Sequence, residues 1–203
     1  MSKQLASVTA TRNGPPSGAA RHIPGEPGIW ILLFGDMLVF TVLFAVYLRN
    51  RHANPELFAE SQEALHRTIG VVNTVVLLTS SLLVVLGTSA VRNGQVALAR
   101  RLLFAGAAVG ACFVLLKAVE YQSLFAAGIA PSTNQFFMYY FVLTGLHLAH
   151  VLLGLVLLIS LAATMPSTEP TATRVAFAEG GACFWHMVDL LWIIIFPLVF
   201  LVR

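Results

Sequence analysis

The chain has 203 residues, of which 58% are hydrophobic and only 10% are charged, and its formal net charge is +3 at pH 7. This composition excludes an ordinary soluble domain, in which about a quarter of the residues are charged. The excess positive charge comes from bases that flank apolar stretches, which indicates contact with a membrane surface and argues against nucleic-acid binding. The sequence therefore predicts an integral membrane protein.

Five apolar stretches follow one another, and each has about the 20 residues that a helix needs to cross roughly 30 Å of hydrocarbon. They comprise residues 29–48, 69–91, 102–125, 136–163 and 182–202. We therefore predict an all-α fold, a bundle of five transmembrane helices over residues 29–203. The loop between the first two spans is expected to contain a short surface helix at residues 55–64.

Residues 1–28 precede the first span and contain two clusters of Gly and Pro without the apolar core of a signal peptide. We expect a disordered tail that stays attached on the cytoplasmic side. The tail and the two loops on its side of the membrane carry seven Lys or Arg, whereas the opposite side carries four. Because bases accumulate on the cytoplasmic side, this difference predicts a cytoplasmic N-terminus and an external C-terminus.

Ionisable side chains also lie inside the predicted spans, where hydrocarbon makes an unpaired charge costly. Three pairs have a three-residue spacing, which places both members on one helix face. These pairs are Lys117 with Glu120, His147 with His150, and His186 with Asp189, while Asp36 lies alone in the first span. A helical rise of about 1.5 Å per residue predicts separate depths for the three pairs, with Asp36 in the layer of His186 and Asp189.

The carboxyl groups have both structural and chemical interpretations. Lys117 and Glu120 are expected to form an internal ion pair, because each lowers the other's cost of burial. Asp36 is either a proton-relay carboxyl or a neutral group that hydrogen-bonds a neighbouring helix.

The histidines have comparable alternatives. His147 and His150 either hydrogen-bond neighbouring helices or ligate a metal or haem, and two histidines three residues apart are a weak metal signal. His186 and Asp189 either form a hydrogen-bonded pair that fixes the last span or belong to a proton route. The structural interpretations are favoured, and no metal site is predicted.

Small and aromatic residues predict how the spans pack. Gly106 with Gly110, and Gly145 with Ala149, have the four-residue spacing that allows helix backbones to approach closely. Five aromatic residues near span ends are expected at the membrane interface, where amphipathic rings are enriched. They are Trp30, Tyr47, Tyr121, Tyr139 and Tyr140.

No phosphate-binding loop, haem-attachment motif or nucleophile motif is evident, so the chain is expected to have no catalytic residues. Three segments, however, resemble the signature of subunit III of the haem-copper oxidases: LLKAVEY at 115–121, YYFVLTGLHLAHVLLG at 139–154 and FAEGGACFWHMVDLLWIIIF at 177–196. The matching positions are Glu120, Gly145, His147, His150, Glu179, Trp185, His186, Asp189 and Trp192.

The first span resembles the helix of that family that bears a buried acid, usually Glu, at the position of Asp36. Five spans correspond to the shorter bacterial form, which lacks the two helices that build much of a lipid-filled cleft in longer members. Residues 24–37 and 54–81 look most similar to the branch associated with nitric oxide reductase, which we favour over a terminal-oxidase subunit III.

The resemblance implies a non-catalytic accessory subunit of a haem-copper respiratory complex in a bacterial inner membrane. Such a subunit stabilises the catalytic subunit, which holds the haem and the copper or iron, and supports proton uptake in aerobic or denitrifying electron transport. This chain would bind no metal or haem, and membrane lipids, including phospholipid, would be its other partners.

Under this resemblance Asp36 is the candidate proton-linked residue. The remaining polar signature would fix helices or contact lipids and subunits, and consists of Lys117, Glu120, His147, His150, Glu179, His186 and Asp189. Two alternatives without a haem-copper partner stay open. A small membrane haem protein would use His147 or His150 with His186 as axial ligands, and a proton transporter would use Asp36, Glu120 and Asp189 as relay groups.

Overall fold

The computed structural model describes residues 27–165 and 171–202, and the described residues form helices without any strand. The helices are α1 (Pro27–Ala53), α2 (Pro55–Glu63), α3 (Arg67–Arg92), α4 (Val96–Ala126), α5 (Gln135–Ala163) and α6 (Ala172–Phe196), and a π-helical turn over Pro197–Leu201 extends α6. All but α2 are long and apolar enough to cross a membrane. The predicted all-α bundle of five spans is confirmed.

The helices are longer than the apolar stretches that predicted them. α6 begins at Ala172, so ten residues assigned to a loop are helical, and α4 begins at Val96 rather than at residue 102. The reason is that an apolar stretch marks only the part of a helix inside hydrocarbon, whereas the backbone hydrogen bonds continue into the polar region. The predicted disordered tail falls on residues outside the described part of the chain, except that residues 27–28 belong to α1.

The last span is the centre of the bundle. α6 packs between α3 and α5, α4 packs against both α3 and α5, and α1 contacts α5 and α6 from one side. Within their membrane-spanning windows, 61% of α6 is buried against only 11% of α1. Polar groups on α6 therefore lie in the interior, whereas α1 is a peripheral helix that presents most of its apolar surface outward.

Glycines allow the closest helix contacts, but only one of the two predicted pairs takes part. A Cβ built on Gly106 would lie 3.1 Å from Val84 on α3, and one on Gly110 would lie 2.8 Å from the ring of Trp185. The prediction for Gly145 and Ala149 was wrong, because a Cβ on Gly145 would meet nothing nearer than 3.9 Å and Ala149 is exposed. Their face of α5 is not turned towards a neighbouring backbone.

Two of the tyrosines near span ends are completely buried inside the bundle. Tyr47 and Tyr140 have no exposed surface, and the Tyr47 hydroxyl donates to the Leu198 carbonyl at 3.3 Å. Tyrosine suits such sites because a hydrogen-bond partner for its hydroxyl makes burial of the ring favourable. Position near a span end therefore did not decide their exposure.

The short surface helix predicted at residues 55–64 is confirmed as α2, and one face of it is buried against the bundle. Its residue Phe58 is fully buried between Tyr47 and Phe136. Gln62 donates through Nε2 to the carbonyls of Val199 and Val202, at 2.8 and 3.0 Å. α2 therefore covers the C-terminal end of the last span.

Candidate functional site: the intramembrane polar groups

The expected ion pair between Lys117 and Glu120 is present in the interior of the bundle. Lys117 Nζ lies 2.8 Å from Glu120 Oε2, and the two side chains are 0% and 1% exposed. Tyr140 on α5 closes the group, because its hydroxyl donates to Glu120 Oε1 at 2.8 Å and accepts from Lys117 at 3.3 Å. Both carboxylate oxygens are thus hydrogen-bonded, which offsets part of the cost of burying the charges.

Asp36 on α1 contacts His150 on α5. Asp36 Oδ2 lies 3.5 Å from His150 Nε2, and the side chains are 23% and 15% exposed. The other ring nitrogen, Nδ1, lies 2.8 Å from the Leu146 carbonyl of its own helix. Among the described contacts Asp36 meets neither His186 nor Asp189, with which the sequence had placed it in one layer.

His147 is held by aromatic rings and not by hydrogen bonds. The side chain has no exposed surface, and its ring centroid lies 5.4 Å from that of Phe113 and 5.2 Å from that of Trp192. Neither ring nitrogen hydrogen-bonds another described residue. The expected hydrogen bond from His147 to a neighbouring helix is therefore not formed, because aromatic side chains of α4 and α6 occupy that space.

His186 and Asp189 both face Ser81 on α3. His186 Nδ1 lies 2.7 Å from Ser81 Oγ, and the Asp189 carboxyl also interacts with this hydroxyl. The described hydrogen bonds do not include one between His186 and Asp189, so the expected pairing within α6 is replaced by contacts to α3. His186 thus contacts α3 through Ser81.

Glu179 pairs with Arg92 at the N-terminal end of α6. Arg92 Nε donates to Glu179 Oε1 at 2.8 Å, and the side chains are 56% and 6% exposed. The sequence had indicated Arg92 only as a base in a loop. Glu179 lies 87 residues from Arg92 in the sequence, and no local pattern indicates such a pair. The contacts of Ser81 with His186 and of Tyr140 with Glu120 likewise had no local signal in the sequence.

The polar groups do not keep to the predicted layers, because Asp36 meets His150 and because Lys117 and His147 both adjoin Trp192. Among residues 27–165 and 171–202, no three His, Cys, Asp or Glu side chains converge to a potential metal site. Cys112 and Cys183 are both free thiols. The arrangement neutralises charges between helices and joins α1 to α5, α3 to α6, and α4 to α5.

Two open grooves, of about 350 Å³ each, lie on either side of α6. The first separates α6 from α1 and is lined almost entirely by apolar side chains, including Trp30 and Leu190. The second separates α6 from α3 and has Arg92 and Glu179 among its lining residues. Cys183 and His186 line both grooves and form the ridge between them.

The fold and these internal pairs define a multi-pass membrane protein of five spans whose ionisable groups hold helices together. The sequence model of cytochrome c oxidase subunit III matches residues 26–202. The chain belongs to that family, and the resemblance seen in its sequence is confirmed.

Relatives of the chain cover most of its length. It is 32% identical to cytochrome c oxidase subunit 3 of Synechocystis sp., over 91% of this chain and 80% of the relative. It is also 32% identical to the protein of the same name from Thermostichus vulcanus, over 86% and 85%. Cytochrome bo(3) ubiquinol oxidase subunit 3 of Buchnera aphidicola is 29% identical, over 86% and 84%.

Proposed function

We propose that this chain is a non-catalytic accessory subunit of a haem-copper respiratory complex in a bacterial inner membrane. The family match over residues 26–202 carries this proposal, because the relatives are named as subunit 3 of cytochrome c oxidase and of cytochrome bo(3) ubiquinol oxidase. The chain stabilises the catalytic subunit, and that partner holds the haem and the copper or iron. The internal pairing of Lys117 with Glu120 supports a structural role, since these charges are satisfied within the chain.

The geometry gives less support to a haem protein that acts alone. His147 is enclosed by Phe113 and Trp192, and an axial ligand needs one ring nitrogen directed at an open space. His150 has one nitrogen facing Asp36 and the other facing the Leu146 carbonyl.

The finer proposal places the chain in the nitric oxide reductase-associated branch of the family. The segments at 24–37 and 54–81 support it by their resemblance, whereas the relatives named above are oxidase subunits. The two branches differ in the substrate that the complex reduces. That difference makes them separable by experiment.

Purification tests whether the chain is a subunit of a haem-copper complex, and gene deletion tests which branch of the family it belongs to. We expect a tagged chain, extracted in mild detergent from its native membranes, to copurify with a haem-containing subunit that is visible by absorbance. Deletion should lower nitric oxide reduction and leave oxygen reduction intact; the reverse pattern would assign the chain to a terminal oxidase. Absence of copurification, together with unchanged reduction of both gases, would contradict the accessory function.

Asp36 and His150 form the proposed proton-linked pair. They are ionisable, lie 3.5 Å apart across α1 and α5, and remain partly exposed inside membrane spans, where ionisable groups are rare and commonly functional. We expect Asp36→Asn to leave the amount of complex unchanged but to shorten its activity over successive turnovers. Asp36→Glu keeps a carboxyl group and should retain wild-type persistence, and equal behaviour of both variants would exclude the proton role.

The groove between α3 and α6 is the proposed phospholipid contact. Its walls include Val85 and Ala182, and its lining includes the guanidinium of the half-exposed Arg92, a group that attracts phosphodiesters. Added phospholipid should raise the apparent Tm of the purified chain by mass action, and Arg92→Gln should abolish most of that rise. Arg100→Gln, which removes an exposed base from the same end of the bundle, is the control; an equal loss in both variants would indicate unspecific attraction.

A further inference from the structure

Lys117 is surrounded by aromatic rings from four elements of the bundle. Its Nζ lies 5.6 Å from the ring centroid of Tyr121 on α4 and 5.0 Å from that of Tyr140 on α5. The corresponding distances are 5.1 Å to Trp192 on α6 and 5.4 Å to Phe200 on the π-helical turn. All four lie within the range of roughly 6 Å in which a cation is attracted by the face of a ring.

Such a box of aromatic rings is the arrangement by which proteins recognise ammonium ligands. Here the ammonium group is supplied by the chain itself, and its counter-ion Glu120 lies one helical turn away. Desolvation strengthens cation–π attraction, and Lys117 is completely buried.

We propose that Lys117 is the built-in ligand of an aromatic ammonium-binding site, and that its positive charge joins the outer ends of α4, α5 and α6 with the π-helical turn. In this proposal Lys117 does more than form an ion pair with Glu120. An ion pair alone is often no better than apolar residues of the same volume, whereas a cation held by four rings stabilises the elements that carry them.

A double-mutant cycle on the full chain in lipid nanodiscs tests the proposal. Lys117→Met with Glu120→Gln removes both charges together, so that no buried charge is left alone, and keeps nearly the same volume. Phe200→Leu truncates one ring of the box, and Phe200 is 1% exposed. In the wild-type background this truncation should lower the apparent Tm by roughly 2 to 4 °C more than in the uncharged background, because only the former loses a cation–π contact.

Phe58→Leu is the matched control, since Phe58 is equally buried near the same end of the bundle and packs on Tyr47 and Phe136 instead of Lys117. Its effect should be the same in both backgrounds. Equal losses for Phe200→Leu in the two backgrounds would overturn the proposal. That result would mean that Lys117 is neutral or that its contacts with the rings add no stability.

Discussion

At the scale of single residues, Trp185 fits against two helices because two of its neighbours are glycines. Its ring lies between Gly110 on α4 and Gly154 on α5, and a Cβ at those positions would approach ring carbons at 2.8 and 2.7 Å. The indole is 1% exposed. Trp185 thus fills notches in two helices at once and sets how closely α6 approaches both.

Alanine substitution at these glycines should therefore destabilise the chain. We expect Gly110→Ala or Gly154→Ala to lower the free energy of unfolding by about 1–3 kcal/mol, because the new methyl group overpacks the core against Trp185. Gly35→Ala on the exposed face of α1 is the control, since a Cβ there meets nothing within 4 Å. Thermal unfolding in detergent measures the difference, and equal Tm values for the three variants would contradict the role of the notches.

At the scale of elements, the end of α6 is held by side chains from other helices. The π-helical turn at Pro197–Leu201 directs carbonyl groups towards α1 and α2. Tyr47 donates to Leu198, and Gln62 donates to both Val199 and Val202. These contacts satisfy acceptors that a helix end leaves without an intrahelical partner.

Loss of the amide donor should loosen this end selectively. Gln62→Leu preserves an apolar stem but leaves two carbonyls without their donor, a cost of about 1–3 kcal/mol where the group is buried. Hydrogen exchange should accelerate at the end of α6 and in α2 and remain unchanged in α4. Thr79→Val is a suitable comparison because the exposed Thr79 hydroxyl bonds only its own helix, at Val75; similar exchange in both variants would argue against the contact.

At the scale of the whole molecule, residues 27–165 and 171–202 contain five candidate spans, and this odd number predicts that the start of α1 and the end of α6 lie on opposite sides of the membrane. Bases are concentrated on the side of the α3–α4 loop, where Arg92, Arg100 and Arg101 lie close together in sequence. The positive-inside tendency predicts that this loop lies in the cytoplasm.

A reporter fusion measures this orientation directly. A phosphatase that is active only outside the cytoplasm should be active when fused after Arg203 and inactive when inserted at Gly94, in the tight turn between α3 and α4. Green fluorescent protein, which requires the cytoplasm, should give the opposite pattern. Phosphatase activity at Gly94 would reverse the proposed orientation.

Much of the fold and part of the site could be predicted from local patterns in the sequence. The five spans followed from the length of apolar stretches, and the Lys117–Glu120 pair from a spacing of three residues within one helix. The partners of Glu179 and Asp36 could not be predicted in that way, because Arg92 and His150 lie on other helices. Helical periodicity gives the face of a residue but not the neighbour that this face meets.

The sequence by itself determined that the chain crosses a membrane five times and belongs to the subunit III family, because hydrophobic length and motif spacing are properties of the linear chain. Only the tertiary structure decided that Tyr47 and Tyr140 are buried, that His147 is enclosed by aromatic rings, and that four rings surround Lys117. Inside hydrocarbon, apolar surface faces lipid and protein with similar ease, so composition does not tell one from the other. Packing between small residues and hydrogen bonding between distant polar groups make that choice.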